Sequence, residues 1–325
     1  MLKAGIIGGA GYTAGELVRL LIHHPAVEID FVFSTSNAGN KIHAVHQDLL
    51  SQTEQSFTDT INSDVDVVFL CLGHGNSTTF LNNNTFSEST KIIDLSNDFR
   101  LHTDATFENK EFVYGLPELQ KEAIEKAFHI ANPGCFATAI QLGILPLAKN
   151  GLLKSDIHIN ATTGATGAGV SPSSTTHFSW RDNNFSVYKA FTHQHLGEIG
   201  ENLQSLQSNF NQELLFIPNR GNFSRGIFAS IYTDFDGSIG EAYLLYEKYY
   251  KDAVFTHISK NPIHLKQVVN TNNCFINLQK HNNKLLITSV IDNLLKGASG
   301  QAIQNLNLIF GLEENLGLNL KSTYF

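Results

Sequence analysis

The chain has 325 residues, 42% of them hydrophobic, and a formal net charge of -8 at pH 7. That length allows about two domains with large cores, and the acidic balance argues against nucleic acid as a partner, which would select a basic patch. Its three cysteines, Cys71, Cys135 and Cys274, form no Cys-x-x-Cys pair and are too scattered for a disulfide framework, so reduced thiols in a reducing compartment are expected.

Leu2–Ile7 reads as a buried strand that opens the chain directly, which leaves no room for a signal peptide and points to the cytoplasm. Gly8-Gly9-Ala10-Gly11-Tyr12-Thr13-Ala14-Gly15 is a glycine-rich turn, and residues 16–21 have helical periodicity. A dinucleotide pyrophosphate is expected there, where glycine lets the backbone approach and the helix start supplies N–H donors. Gly8, Gly9, Ala10, Gly11, Tyr12 and Thr13 are the candidate contacts. Val27–Phe33 reads as the second strand, followed by Ser34-Thr35-Ser36-Asn37. A carboxylate there would hold the ribose hydroxyl of NAD and repel a 2′-phosphate. The hydroxyls of Ser34, Thr35 and Ser36, with Lys41 nearby, suit NADP better. Residues 65–72 and 91–95 read as further strands, the first much too short to cross a bilayer.

Residues 127–131 form an apolar strand-like run that ends in Asn132-Pro133-Gly134-Cys135-Phe136-Ala137-Thr138-Ala139, and a helical pattern covers 137–145. The turn places the Cys135 thiol at a helix N-terminus, where unpaired N–H groups favour the thiolate. Cys135 is thus the candidate nucleophile, against the alternative of a buried core cysteine.

Beyond it, residues 157–162, 226–232, 274–278 and 285–290 read as strands. Residues 196–210, 239–250 and 298–310 read as helices, and 164–184 as a long loop rich in Gly, Ser, Thr and Asn. The fold class is therefore α/β: a Rossmann-type nucleotide domain with a parallel, doubly wound sheet, and an α+β substrate domain with a mixed, largely antiparallel sheet. His193-Gln194-His195 opens the helix after the loop and offers a general acid–base for Cys135, with His195 or His193 in the role. No cysteine or carboxylate cluster completes a metal site around this pair, and none is expected. Arg100, Arg220 and Arg225 suit phosphate or carboxylate, with a structural or surface ion pair as the other reading of each.

These motifs resemble the N-acetyl-gamma-glutamyl-phosphate reductases of the aspartate-semialdehyde dehydrogenase group. The likeness runs nearly end to end through the glycine-rich turn, Asp94-Leu95-Ser96-Asn97-Asp98-Phe99-Arg100, Tyr114-Gly115-Leu116-Pro117-Glu118 and Asn132-Pro133-Gly134-Cys135. It continues through Gly164-Ala165-Thr166-Gly167-Ala168-Gly169, His193-x-His195-x-x-Glu198-Ile199, Arg225-Gly226 and the run from Asp292-Asn293 to Gln301-Ala302. The resemblance implies an NADP-binding domain over residues 1–134 and 298–325, and a catalytic and oligomerisation domain over 135–297. It adds Gly164, Gly167 and Asn293 to the cofactor site, and Arg100, Asn132, Glu198 and Arg225 to the substrate site, where Arg220 is a candidate by its own chemistry and not by the resemblance. The implied reaction is NADPH-dependent reduction of N-acetyl- or N-succinyl-gamma-glutamyl phosphate to the semialdehyde, with release of phosphate, through a Cys135 thioester in arginine biosynthesis. A cytoplasmic homodimer or homotetramer is expected, with a small-molecule acyl phosphate, phosphate and NADP(H) as partners and neither nucleic acid nor membrane. The rivals are a related dehydrogenase acting on another acyl phosphate and a non-catalytic NADP-binding regulator. Where the family has Cys-Tyr-Pro-Thr and His-Arg-His, this chain has Cys135-Phe136-Ala137-Thr138 and His193-Gln194-His195, and Arg220 follows Pro218-Asn219 where the family has no cation. A second carboxylate, as on an N-succinyl substrate, is one ligand that would suit Arg220.

Overall fold

Four short apolar runs make the centre of the first sheet: β1 (Leu2–Ile7), β3 (Val67–Leu70), β4 (Lys91–Asp94) and β7 (His129–Ala131) are buried along nearly their whole length. Burial on both faces is the habit of parallel strands. A computed structural model describes all 325 residues. With β2 (Val27–Phe33), β5 (Thr106–Phe107) and β6 (Lys110–Tyr114), the sheet has the order β2-β1-β3-β4-β7-β6-β5 and is parallel except at the β5–β6 edge. Helices α1 (Tyr12–Leu21), α2 (Asn76–Asn83) and α3 (Pro117–Lys126) connect its strands. The strand order reverses between β1 and β3, the point at which open parallel sheets take their ligands.

The second unit begins with α4 (Cys135–Lys149), followed by β8 (Ile157–Thr163), the single turn α5 (Phe178–Arg181), β9 (Ser186–Val187) and α6 (His195–Leu206). Then come β10 (Leu214–Arg220), β11 (Ile227–Asp234), α7 (Ile239–Tyr249), β12 (Thr256–Ser259), β13 (Cys274–His281) and β14 (Lys284–Ile291). The sheet runs β12-β13-β14-β11-β8-β10-β9. It is antiparallel apart from β8–β10 and β12–β13. Residues Phe136 to Ala148 of α4 are all buried, as expected of a helix that is apolar on every side.

The units are Met1–Pro133 with Ala298–Asn319, which contributes α8 (Gly300–Ile309), and Gly134–Gly297 with Leu320–Phe325. Gly134 and the last six residues thus depart from the domain limits expected above. The tail joins the second unit because Thr323 N–H donates to Val269 O at 3.1 Å and Asn270 Nδ2 donates to Lys321 O at 3.2 Å.

His129 makes the first unit acid-sensitive. Its Nδ1 accepts the Ile92 N–H at 3.1 Å, which requires an unprotonated nitrogen. Burial first, then the charges of Lys110 and Lys91, push its pKa from 6.5 to about 4. A histidine held below its unfolded value stabilises the fold above the unfolded pKa, and that contribution is lost as pH falls toward the folded one. The shift corresponds to roughly 3 kcal/mol. His129→Gln keeps an acceptor but does not titrate, so its melting temperature should fall less than that of the parent between pH 6.5 and 4. Parallel curves would show that His129 does not govern the effect.

Candidate active site

Cys135 is the first residue of α4, and Gly134 enters the helix with extended backbone (φ −70°, ψ 150°) and no capping side chain. The first intrahelical bond nearby runs from Thr138 N–H to Gly134 O at 2.8 Å. The N–H groups before it have no acceptor within the helix and point toward the Cys135 end. Such a terminus stabilises negative charge, whether on sulfur or on an oxyanion beside it. The other thiols are placed differently. Burial pushes Cys71 up to about 12. Cys274 is buried within β13, with its sulfur 3.5 Å from Ser289 Oγ.

Glu198 ties the cysteine turn to the histidines. Its Oε2 accepts the Gly134 N–H at 3.1 Å, and its Oε1 lies 3.9 Å from His195 Nε2. A Cβ at position 134 would stand 2.4 Å from His195 Nε2, so the ring packs directly against the backbone that carries Cys135. His193 Nδ1 accepts the His195 N–H at 3.2 Å, and the two rings are 4.6 Å apart. Phe136, Tyr188 and Phe216 surround His193. The Tyr188 phenol is held well above its ordinary value, by burial first and then by charge on Cys135. A carboxylate beside His195 steadies that ring when it carries a proton, whereas Nδ1 of His193 is committed to a backbone donor. This arrangement sets a carboxylate-backed histidine, a group suited to proton transfer, against the turn that carries the Cys135 thiol.

Gly297, in a π-helical turn over Leu295–Ser299, packs against Cys135. A Cβ there would lie 2.8 Å from Cys135 Cβ and 3.2 Å from its Cα. Gly297→Ala should therefore displace the nucleophile and lower kcat about a hundredfold, as misplacement by an ångström does. Dinucleotide affinity, measured by fluorescence titration, should not change. A kcat within twofold of the parent would show that the contact does not position the thiol.

The glycine-rich turn lies in the first unit, where Gly11 caps α1 without a side-chain acceptor. Gly8 has φ +80°, and a Cβ there would meet Cys71 O at 2.5 Å, so the turn requires glycine. At Gly11 a Cβ would find no atom nearer than Gly8 O at 3.7 Å and would fill the space beside the first-turn N–H groups. The turn thus fits a pyrophosphate through the backbone from Gly8 to Thr13. After β2, Ser34 Oγ and Ser36 Oγ each accept from Asn37 Nδ2 at 3.1 Å, and Thr35 begins a short 3-10 turn. Lys41, expected near them, pairs instead with Glu54 at 3.5 Å.

Several of the expected ligands make contacts within their own unit. Arg100 is buried, with Nε donating to Asn132 O at 2.8 Å and Nη2 to Leu95 O at 3.0 Å, so it joins the ends of β4 and β7. Asn132 Nδ2 donates to Ala298 O at 3.1 Å. Arg225 forks onto the buried Asp292 carboxylate at 3.1 and 3.2 Å. Asn293 Oδ1 accepts Gly226 N–H at 2.7 Å, its Nδ2 donates to Thr166 Oγ1, and Gly164 N–H donates to Gly226 O. Gly167 N–H closes the same loop onto Gly164 O. These contacts hold the 164–169 loop in the second unit. Arg220 stays near Cys135's neighbours, with its guanidinium 4.8 Å from the centre of the Tyr188 ring. Tyr188 was not singled out from sequence, because it lies in a loop with no motif around it.

Residues 3–127 match the NAD-binding domain of the semialdehyde dehydrogenases and residues 135–293 their dimerisation domain. The N-acetyl-gamma-glutamyl-phosphate reductases of Christiangramia forsetii and Flavobacterium johnsoniae are 64% and 62% identical over the whole of this chain and the whole of their own. An aspartate semialdehyde dehydrogenase II crystal structure from Vibrio cholerae has the same fold, with a TM-score of 0.72 at 14% identity over 96% of this chain and 98% of that one. A Candida albicans aspartate semialdehyde dehydrogenase solved with NADP matches at 0.71 and 14%, over 96% of this chain and 99% of its own. The protein is an oxidoreductase with a nicotinamide dinucleotide domain, and no helix in it is long and apolar enough to cross a membrane. With full-length identity of this order and both domains matched, the chain belongs to the semialdehyde dehydrogenase family, in its N-acetyl-gamma-glutamyl-phosphate reductase branch.

Proposed function

We propose that the chain reduces an N-acyl-gamma-glutamyl phosphate to the N-acyl-glutamate semialdehyde, with NADP(H) as cofactor, as a step in arginine biosynthesis. The observation that carries this reading is Cys135 at the start of α4, packed through Gly134 against the His195–Glu198 pair. The Cys135 thiolate attacks the gamma-carbonyl carbon. A C–S bond forms, the C–O bond to phosphate breaks, and inorganic phosphate leaves with the bonding electrons. N–H groups at the α4 terminus stabilise the oxyanion of this step. When bound, NADPH supplies the hydride that reduces the resulting thioester. His195 gives its proton to sulfur as the C–S bond breaks and the aldehyde departs, then recovers it from the thiol in the next cycle. His193 orients His195 through the backbone N–H bond, and Glu198 fixes the second ring nitrogen's side.

The dinucleotide is held by the backbone of Gly8, Gly9, Ala10, Gly11, Tyr12 and Thr13. Ser34, Thr35 and Ser36 offer hydroxyls and no carboxylate to the 2′-position, which favours NADP over NAD, only modestly because Lys41 is engaged by Glu54. The active form is a cytoplasmic homodimer or homotetramer. Its subunits meet through the dimerisation domain, where Phe178, Phe185, Val187 and Phe191 expose apolar side chains.

The test is phosphate-dependent reduction of NADP with N-acetyl- and N-succinyl-glutamate semialdehyde, repeated with NAD and with aspartate semialdehyde. Turnover of an N-acyl-glutamate semialdehyde, stronger with NADP than with NAD, is expected. Turnover of aspartate semialdehyde alone would replace the substrate. Equal efficiency with both cofactors would remove the NADP preference.

A further inference from the structure

The long loop of the second unit buries a guanidinium whose charge the protein leaves unmatched. Arg181, the last residue of α5, is only 8% exposed. Its Nη2 donates to Asn184 O at 2.6 Å and to Arg220 O at 3.2 Å. Its Nε and Nη1 are buried with no acceptor, and so is Nε of Arg220. Neither arginine is in an ion pair; of the acidic groups nearest in sequence, Asp182 is exposed and accepts from Asn183 Nδ2 at 3.1 Å, and Glu213 is exposed. Two like charges are thus held side by side, one sharing the other's backbone carbonyl. Burying an unpaired charge is costly, and the buried Arg181, with the half-buried Arg220 beside it on Tyr188, is placed for an anion. Arg220 links the pair to the chemistry: its guanidinium lies 4.8 Å from the centre of the Tyr188 ring, and that ring is 5.9 Å from His193.

We propose that Arg181 and Arg220 form a carboxylate clamp for the substrate, in which the three buried nitrogens without an acceptor, Nε and Nη1 of Arg181 and Nε of Arg220, bind a planar anion. The proposal rests on the reaction given above and names the part of the substrate recognised at a distance from the reacting carbonyl. Two carboxylates have the right chemistry: the α-carboxylate of the glutamyl unit and the terminal carboxylate of a dicarboxylic N-acyl group such as succinyl. Forked arginine–carboxylate bonds are short and directional, and a lysine cannot reproduce them.

The test uses the full-length protein and the variants Arg220→Gln, Arg220→Lys and Arg181→Gln. Arg220→Gln, being half-buried, is the control should Arg181→Gln fail to fold, as judged by thermal melting. Binding of N-acetylglutamate and N-succinylglutamate is measured by calorimetry, so the result does not depend on turnover. KM and kcat are then measured for N-acetyl- and N-succinyl-glutamate semialdehyde and for the N-acetyl compound with its α-carboxylate converted to an amide. Each Gln variant should lose about ten- to a hundredfold in affinity and raise KM by the same factor at nearly constant kcat. Arg220→Lys should recover little of it. Loss on the succinyl ligand alone supports the clamp and assigns it to the acyl carboxylate. Equal loss on both acyl ligands with none on the amide supports it and assigns it to the α-carboxylate. An equal loss on the amide and the acids overturns it, as does unchanged binding of all ligands. A raised KM for phosphate alone, or a changed molar mass by light scattering, overturns it in favour of a phosphate site or a subunit contact. If the parent turns over no acyl-glutamate semialdehyde yet binds N-acylglutamates through the arginines, the proposed reaction fails and the clamp stands.

Discussion

Cys135→Ser is expected to lower turnover by at least about a thousandfold while leaving NADP binding intact. The helix terminus that stabilises a thiolate cannot bring an aliphatic hydroxyl to a usable anion near neutral pH. No other sulfur can substitute. Cys71 is held up to about 12, and Cys274 lies inside the core of its sheet. Steady-state rates with N-acyl-glutamate semialdehyde, together with a dinucleotide titration, decide the matter. A serine variant within tenfold of the parent would remove Cys135 from the nucleophile's role.

His195→Asn should lower kcat about a hundredfold or more, the usual scale for a lost general acid–base. Its pH profile should also lose a limb near neutrality. His195 has the Glu198 carboxylate at 3.9 Å and packs on Gly134, whereas His193 uses Nδ1 to accept a backbone N–H. His193→Asn should therefore cost less and keep both limbs of the profile. Should His193→Asn lose the limb while His195→Asn keeps it, the two roles must be exchanged.

The parts of the site legible in the sequence were those set by local backbone chemistry. The turn from Gly8 to Gly15 sits between an apolar strand and a helical pattern, and only glycine suits the +80° φ at position 8. Cys135 follows Pro133-Gly134 and precedes a helical run, so its place at a helix start needed no distant partner. His193 and His195 were legible as a pair, but their division of labour depends on Glu198 and Gly134, which only folding brings to them.

Long-range pairing accounts for what could not be read. Arg225 has the composition of a ligand, yet Asp292, 67 residues away, takes its fork. Arg100 likewise spends its donors on carbonyls at two strand ends. Arg181 lay inside a stretch read only as a loop, with nothing local to mark it as buried. Among the elements, β10 was missed because Pro218 lies within it and proline argues against an interior strand. Pro218 O accepts the Tyr188 N–H at 3.1 Å, so the side of Pro218 that lacks an N–H faces the two-residue edge strand β9 and not β8. The edge strands β5 and β9 are two residues each, too short to show a period of two.

The central claim is a covalent bond between substrate and Cys135. The protein is mixed with the N-acyl-gamma-glutamyl phosphate in the absence of NADPH, quenched in acid, digested and analysed by mass spectrometry. The account predicts one acyl-glutamyl adduct per chain on the peptide containing Cys135, lost when NADPH is added before the quench. Rapid NADPH-dependent turnover with no adduct at Cys135, or with the adduct on Cys71 or Cys274, would contradict it.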